Sequence, residues 1–101
     1  MSQTYNSFSE FYPFYLSEHS DRTCRRLHFV GSTLVLLVVA YVIATVNLWA
    51  LLLAPLFGYG FAWVGHFFFE HNKPATFKYP FYSFIGDWVM YKEILAGKIR
   101  L

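Results

Sequence analysis

Two long apolar runs dominate the pattern of hydrophobic and polar positions along the chain. Residues 29–46 and residues 48–69 contain no Asp, Glu, Lys or Arg. An α-helix rises about 1.5 Å per residue, so about 20 apolar residues span the hydrocarbon core of a bilayer. We therefore predict transmembrane helices over 22–46 and 48–71, joined as an antiparallel hairpin by a tight turn at Asn47.

A shorter amphipathic segment precedes the hairpin. In residues 6–19, apolar side chains recur at spacings of three and four, as they do on one face of a helix. The members of this face are Phe8, Phe11, Tyr12, Tyr15, Leu16 and His19. Pro13 interrupts the pattern and predicts a kink or a later helix start. Ser20 or Asp21 is a suitable N-cap for the first transmembrane helix, which would separate the two helices.

Another amphipathic segment, residues 76–97, follows the hairpin. Its apolar face consists of Phe81, Phe84, Ile85, Trp88, Tyr91 and Leu95, and its polar face of Ser83, Asp87, Lys92 and Glu93. This pattern predicts an interfacial helix that lies on the membrane surface or packs against the hairpin. The predicted fold is an all-α membrane protein, a two-span hairpin flanked by amphipathic interfacial helices in one domain over residues 1–101.

The composition favours a membrane protein over other classes. The chain is 56% hydrophobic and 14% charged, whereas soluble domains contain about 25% charged residues. A net charge of +2 without a basic stripe argues against nucleic-acid binding. The single cysteine, Cys24, excludes an internal disulfide and a zinc site built from several cysteines. Membrane lipid is therefore the expected partner.

The basic residues predict the orientation in the membrane. All eight lie outside the two apolar runs. They are Arg22, Arg25, Arg26, Lys73, Lys78, Lys92, Lys98 and Arg100. Because cytoplasmic loops carry an excess of Lys and Arg, both termini are predicted to face the cytoplasm.

This topology gathers the histidines on one side of the membrane. An antiparallel hairpin brings the start of its first helix beside the end of its second, so His28 should lie near His66 and Glu70. His19 ends the preceding helix and can join them if the chain breaks at residues 20–21. Gathered histidines and a carboxylate at membrane depth are costly unless they find partners.

Metal binding would supply such a partner, because neutral imidazole is a common metal ligand. His66 and Glu70 share a stripe of four-residue spacing with Gly58 and Ala62, and small residues favour close helix packing. His71 lies about 140° around the helix from His66, and it can join the site only if the helix unwinds. The candidate metal ligands are His19, His28, His66, Glu70 and His71, the first four of them also catalytic candidates. Each alone would equally suit a structural hydrogen bond.

Three stretches of sequence carry a family resemblance. They are YPFYLSEHSDRTCRRLHFVGS at 12–32, GYGFAWVGHFFFEHNKPATF at 58–77 and SFIGDWVMY at 83–91. In order, they contain Tyr-x(3)-His, Leu-His, Gly-His-x(3)-Glu and Pro-Ala. This combination resembles the small membrane proteins of the Mpo1-like family over nearly the whole chain.

The resemblance implies an Fe(II)-dependent dioxygenase that uses O2 to shorten 2-hydroxy fatty acids by one carbon. By resemblance, His19, His28 and His66 bind Fe(II), and Glu70 is a fourth ligand or orients an imidazole. Arg25 or Arg26 could steer the carboxylate of the fatty acyl substrate. The compact chain, shorter than the family's fungal member, suits a bacterial inner membrane, and the endoplasmic reticulum is the expected compartment in a eukaryote.

Other functions stay open at the level of sequence. A haem could be held between His28 and His66 as axial ligands. His66-x(4)-His71 resembles one histidine box of the di-iron desaturases and hydroxylases, although those enzymes need many more than the four histidines present. The chain could also be an adaptor or a lipid-binding protein with structural histidines. A homodimer would help to bury the polar face of so thin a bundle.

Overall fold

The computed structural model describes residues 4–101, which form helices and connecting turns without any strand. The prediction of an all-α fold is thus confirmed for this part of the chain. Four α-helices carry the architecture; short 3₁₀ and π-helical segments extend the third of them at its two ends, and a separate 3₁₀ turn precedes the fourth. The α-helices are α1 (Phe8–Ser17), α2 (Arg22–Thr45), α3 (Leu53–Val64) and α4 (Pro80–Leu95), with 3₁₀ turns at Leu48–Leu52 and Ala75–Phe77 and a π-helical segment at Gly65–Glu70.

The predicted hairpin is formed by α2 and by the continuous helical stretch Leu48–Glu70. These stretches contain 24 and 23 residues, and both are long and apolar enough to cross a membrane. They turn at Val46, whose φ of 56° is left-handed, and at Asn47. Near the turn most apolar side chains point outward, and Ile43 is 75% exposed. An apolar outer surface of this kind is compatible with insertion into lipid.

Hydrogen-bonding caps define where the first two helices begin. Ser7 caps α1 by accepting a hydrogen bond from the backbone N–H of Glu10 at 3.2 Å. Asp21 caps α2 by accepting one from the backbone N–H of Cys24 at 3.0 Å. The break between α1 and α2 therefore falls where the sequence predicted it, with Asp21 rather than Ser20 as the cap. Helix α1 continues through Pro13, although it is shorter than the predicted segment.

The buried side of helix α4 combines Ser83 of its predicted polar face with Met90 and Ile94, while Lys92 of the polar face stays exposed. Ser83, Gly86 and Met90 are buried against the rest of the protein, whereas Phe81 is 84% exposed and Phe84 60% exposed. The main hydrophobic core lies between α1 and α4 and the turn before α4. Its buried members are Phe11, Tyr15, Ala75, Met90 and Ile94. The sequence predicted that this helix lies on the membrane surface or packs against the hairpin, and the structure shows it against the hairpin. Tyr91 of α4 stacks on Phe29 of α2, and the Tyr91 hydroxyl lies 2.9 Å from Thr33 Oγ1.

Candidate metal centre

Three histidines from different parts of the chain meet in the interior. His19 follows α1, His28 lies in α2, and His66 lies in the π-helical segment. They are only 1%, 6% and 2% exposed, respectively. One ring nitrogen from each lies within 4.8 Å of the others, and Nε2 of His19 is 3.1 Å from Nε2 of His28. The predicted convergence of these three residues is confirmed.

The hydrogen bonds of the opposite ring nitrogens fix the protonation of all three imidazoles. Nδ1 of His19 lies 2.6 Å from the carbonyl oxygen of Tyr15, and Nδ1 of His28 lies 2.9 Å from that of Cys24. Nδ1 of His66 lies 2.7 Å from Oδ1 of Asn72. A carbonyl oxygen can only accept, so each Nδ1 carries the hydrogen and each Nε2 presents a lone pair.

Lone pairs that face one another in a buried site favour a cation between them. Nε2 of His19 and Nε2 of His28 are both acceptors at 3.1 Å, an arrangement that repels unless a cation or proton lies nearby. Hydrogen bonding of Nδ1–H to an oxygen is also the usual way in which proteins orient metal-binding histidines. The donor set therefore fits a metal ion.

The π-helical segment sets the position of His66. The sequence predicted a regular helix over 48–71, but the turns widen from Gly65 and the helix ends at Glu70. At this point a Cβ on Gly65 would lie 3.1 Å from Cα of Cys24, so the absence of a side chain allows the two backbones to touch. Helix α2 and the π-helical segment thus meet one turn before His28. Segments of this kind are rare and often occur at functional sites.

The connection between α1 and α2 is held by charged side chains outside the cluster. Glu70 accepts hydrogen bonds from Ser20 Oγ at 2.9 Å and from the backbone N–H of Asp21 at 2.7 Å. Arg25 donates to the carbonyl oxygens of His19 at 3.0 Å and of Ser20 at 2.9 Å. These contacts fix the turn that places His19 opposite His28.

Four of the residues predicted for the site lie outside the three-histidine cluster. The Glu70 carboxylate clamps the α1–α2 turn, and Arg25 also reaches the carbonyl oxygen of Arg100 at 3.1 Å. His71 adopts a left-handed φ of 59° and is exposed to solvent. Arg26 is exposed as well. The helix does end beside His71, yet the side chain that turns back into the site belongs to its neighbour, Asn72.

Asn72 was not predicted from the sequence. Its Oδ1 accepts from His66 Nδ1–H, and its Nδ2 donates to the carbonyl oxygen of Glu18 at 3.1 Å. Because the second bond fixes the orientation of the amide, the assignment of Oδ1 toward His66 follows. The available signal was an asparagine directly after a helix end, where short polar side chains often form local hydrogen bonds.

The description of one protein family agrees with this geometry. A family model described as "2-hydroxy-palmitic acid dioxygenase Mpo1-like" matches residues 5–99. The chain belongs to the Mpo1-like family. No curated protein and no solved structure gives a significant match to it. In this Mpo1-like protein, the family match covers all three clustered histidines together with the helices that hold them.

One aromatic and one acidic side chain, Tyr15 and Asp87, complete the surroundings of the three histidines in this Mpo1-like protein. Tyr15 stacks on His19 with ring centroids 4.1 Å apart, and its hydroxyl donates to the carboxylate of Asp87. Burial, followed by the neighbouring rings of His28 and His66, lowers the pKa of His19 well below its usual value. Burial raises the pKa of Asp87 to about 6. His19 is therefore neutral at physiological pH, which is the form that binds a metal.

A small cavity lies among the histidines, and a larger groove leads away from it. The cavity has a volume of about 10 Å³ and the groove about 280 Å³. A volume of about 10–15 Å³ accommodates one water-sized particle. Both spaces are lined by His28, Tyr59, Ala62 and Asp87, so they adjoin. The groove continues between α2 and α3 and is mainly apolar.

Proposed function

We propose that the protein is a membrane-bound, iron-dependent dioxygenase that shortens 2-hydroxy fatty acids by one carbon. The observation that carries this proposal is the meeting of three buried imidazoles, His19, His28 and His66, whose ligand nitrogens lie within 4.8 Å of one another. The description of the Mpo1-like family supports the reaction class and the substrate.

The ligand set suits iron that reacts with O2. Two or three histidines with open coordination positions are typical of non-haem Fe(II) oxygenases. The three histidines would hold the ion, with the carbonyl oxygens of Tyr15 and Cys24 orienting two of the rings. When bound, Fe(II) supplies the capacity to bind O2 and exchange electrons with it, which amino-acid side chains lack.

The proposed reaction balances without an additional reductant. A 2-hydroxy acid and O2 give the acid one carbon shorter, CO2 and water, as the bond between C1 and C2 breaks. The substrate loses four electrons, and O2 gains four.

The protein's own residues would bind and orient the substrate. The apolar groove between α2 and α3 adjoins the histidine cavity, so an acyl chain lying in it would place its polar head at the cluster. Phe84 of α4 lines the groove and is itself 60% exposed. A fatty acid could therefore reach the groove sideways from the bilayer. The positive residues flanking the hairpin support a site on the cytoplasmic side.

The size of the cavity favours a single ion over a haem. A volume of about 10 Å³ suits one small particle, whereas a porphyrin would have to separate His28 from His66. Their ring centroids are 4.9 Å apart, and His19 occupies the adjoining space at 4.5 Å from His66. A di-iron centre would require His71, which lies outside the cluster.

Metal content and product formation test the proposal together. The full chain is purified in detergent, loaded anaerobically with Fe(II), and analysed by inductively coupled plasma mass spectrometry. The variants are His66→Ala and, as a matched control, His71→Ala, which removes an exposed imidazole. We expect near-stoichiometric iron in the wild type and in His71→Ala, and loss of iron in His66→Ala.

The same preparations are then given 2-hydroxypalmitate and O2, and pentadecanoate is measured by gas chromatography and mass spectrometry. The wild type and His71→Ala should form it, and His66→Ala should not. A wild-type protein that binds no iron would refute the proposal and would favour an adaptor or a lipid-binding protein. Iron binding without pentadecanoate would refute the substrate and leave a metal site of another function.

A further inference from the structure

Ser83 of α4 is a buried hydroxyl without a hydrogen-bond partner in the wall of the histidine cavity. It is 1% exposed, and its Oγ is the one buried side-chain polar atom without a partner in the part of the chain that the structure describes. It lines the same small cavity as the three histidines. Folded proteins rarely leave such a group unsatisfied, because burial removes its hydrogen bonds to water. A ligand in the cavity would supply the missing partner.

Asp87 lies one helical turn after Ser83 and lines both the cavity and the apolar groove. Its carboxylate accepts a hydrogen bond from the hydroxyl of Tyr15. A carboxylate offers about four acceptor sites, so this bond leaves acceptor capacity on Asp87. Ser83 and Asp87 thus form one polar wall of the histidine cavity, and Asp87 extends this wall into the groove.

The chemistry of this wall suits a hydroxyl group better than a carboxylate. The carboxylate of a fatty acid has no hydrogen to donate, and it carries the same charge as ionised Asp87. A hydroxyl can donate to the Asp87 carboxylate and accept from the O–H of Ser83 at the same time. The acid group of a 2-hydroxy fatty acid is then left to the opposite side, where the histidines would hold a cation.

We propose that Ser83 and Asp87 recognise the 2-hydroxyl group of the substrate and so select 2-hydroxy fatty acids from the unsubstituted fatty acids of the membrane. This inference rests on the proposed function. A site built to hydrogen-bond a hydroxyl discriminates against the analogue that lacks it, because the polar groups of the site then stay unpaired. A purely apolar groove would bind both kinds of acid about equally.

The test measures the binding of 2-hydroxypalmitate and palmitate to the full chain in detergent, loaded with Fe(II) and kept anaerobic so that no turnover occurs. The variants are Ser83→Ala and the control Ser9→Ala, an exposed serine of α1 that lines neither the groove nor the histidine cavity. We expect the wild type and Ser9→Ala to prefer 2-hydroxypalmitate by roughly tenfold, the worth of one hydrogen bond. Ser83→Ala should lose most of that preference.

Stability supplies a second readout that a structural role would not reproduce. Removing an unsatisfied buried hydroxyl should raise the melting temperature of ligand-free Ser83→Ala. If Ser83 instead supported the fold, the same substitution would lower it. A fall in melting temperature together with unchanged ligand preference would overturn the inference.

The remaining outcomes separate this inference from the proposed function. A wild-type protein without preference for 2-hydroxypalmitate, or a Ser83→Ala variant that keeps the preference, overturns the inference even if pentadecanoate is formed. A preference that depends on Ser83 without product formation upholds the recognition and refutes the dioxygenase. Should Ser83→Ala fail to fold, the binding of 3-hydroxypalmitate to the wild type replaces it as the test. We expect the wild type to bind 3-hydroxypalmitate about as weakly as palmitate. If it binds 3-hydroxypalmitate as tightly as 2-hydroxypalmitate, the inference is overturned.

Discussion

Gly65 makes a prediction that links backbone packing to metal binding. A Cβ at this position would lie 3.0 Å from Sγ of Cys24, 3.1 Å from its Cα and 3.3 Å from its carbonyl oxygen. The sulfur could rotate away, but the two backbone atoms can move only with α2. The same carbonyl oxygen accepts the Nδ1–H of His28, so Gly65→Ala should shift His28 relative to His66.

The size of the expected loss of stability follows from comparing Gly65→Ala with Gly60→Ala. A Cβ on Gly60 meets nothing within 4 Å, and this residue is exposed on the outer surface. Gly65 has ordinary helical dihedral angles, φ −58° and ψ −48°, so both substitutions gain about 0.5–1 kcal/mol of helix preference. Overpacking costs about 1–3 kcal/mol. We therefore expect Gly65→Ala to be about 1–3 kcal/mol less stable than Gly60→Ala.

Melting temperature and iron content of the detergent-purified variants measure both consequences. Gly60→Ala should melt at or above the wild-type temperature and bind iron normally. Gly65→Ala should melt at a lower temperature and bind iron more weakly. Equal stability and equal iron content in the two variants would refute the reasoning that the contact between Gly65 and Cys24 positions the histidines.

Three further predictions concern hydrogen bonding and protonation at the site. Asn72→Ala removes the acceptor of His66 Nδ1–H and should weaken metal affinity about 10–100-fold. Asn72→Asp keeps an acceptor, so a competitive metal titration should give it a metal affinity closer to that of the wild type. Burial raises the pKa of Asp87 from 3.8 to about 6, so its ionisation opposes folding above about pH 6. Asp87→Asn should therefore stabilise the protein at about pH 8 by up to roughly 3 kcal/mol, a gain that thermal melts should show vanishing near pH 4. Burial and His28 hold the pKa of His19 below its usual 6.5, so metal-free protein should lose stability as the pH falls below about 6.5, and a flat melting profile would contradict that assignment.

The hairpin and the gathering of the histidines could be predicted from sequence because each depends on simple physical rules. Apolar length set the two helical stretches, and the candidate caps Ser20 and Asp21 marked the break that lets His19 turn toward His28. Antiparallel packing then brought His66 to the same end of the bundle. None of these steps required knowledge of side-chain contacts.

Details of the site depended on contacts that periodicity does not encode. The four-residue spacing of His66 and Glu70 predicted that both would point inward, but the turns widen at the π-helical segment, and Glu70 reaches Ser20 and Asp21 instead. The position of Asn72 depends on the helix ending at Glu70 and on the left-handed residue that follows. The change of helical register begins where Gly65 packs against Cys24, a contact that no sequence pattern reports.

The orientation of α4 shows how the surroundings decide which face of an amphipathic helix is buried. The pattern of α4 predicted an apolar face and a polar face, but it could not tell which would meet the protein. Phe81 and Phe84 point outward while Ser83 is buried, an arrangement that is compatible with apolar surroundings. Helix α4 therefore contributes Ser83 and Asp87 to the wall of the histidine cavity, and its exposed Phe84 lines the groove that leads there.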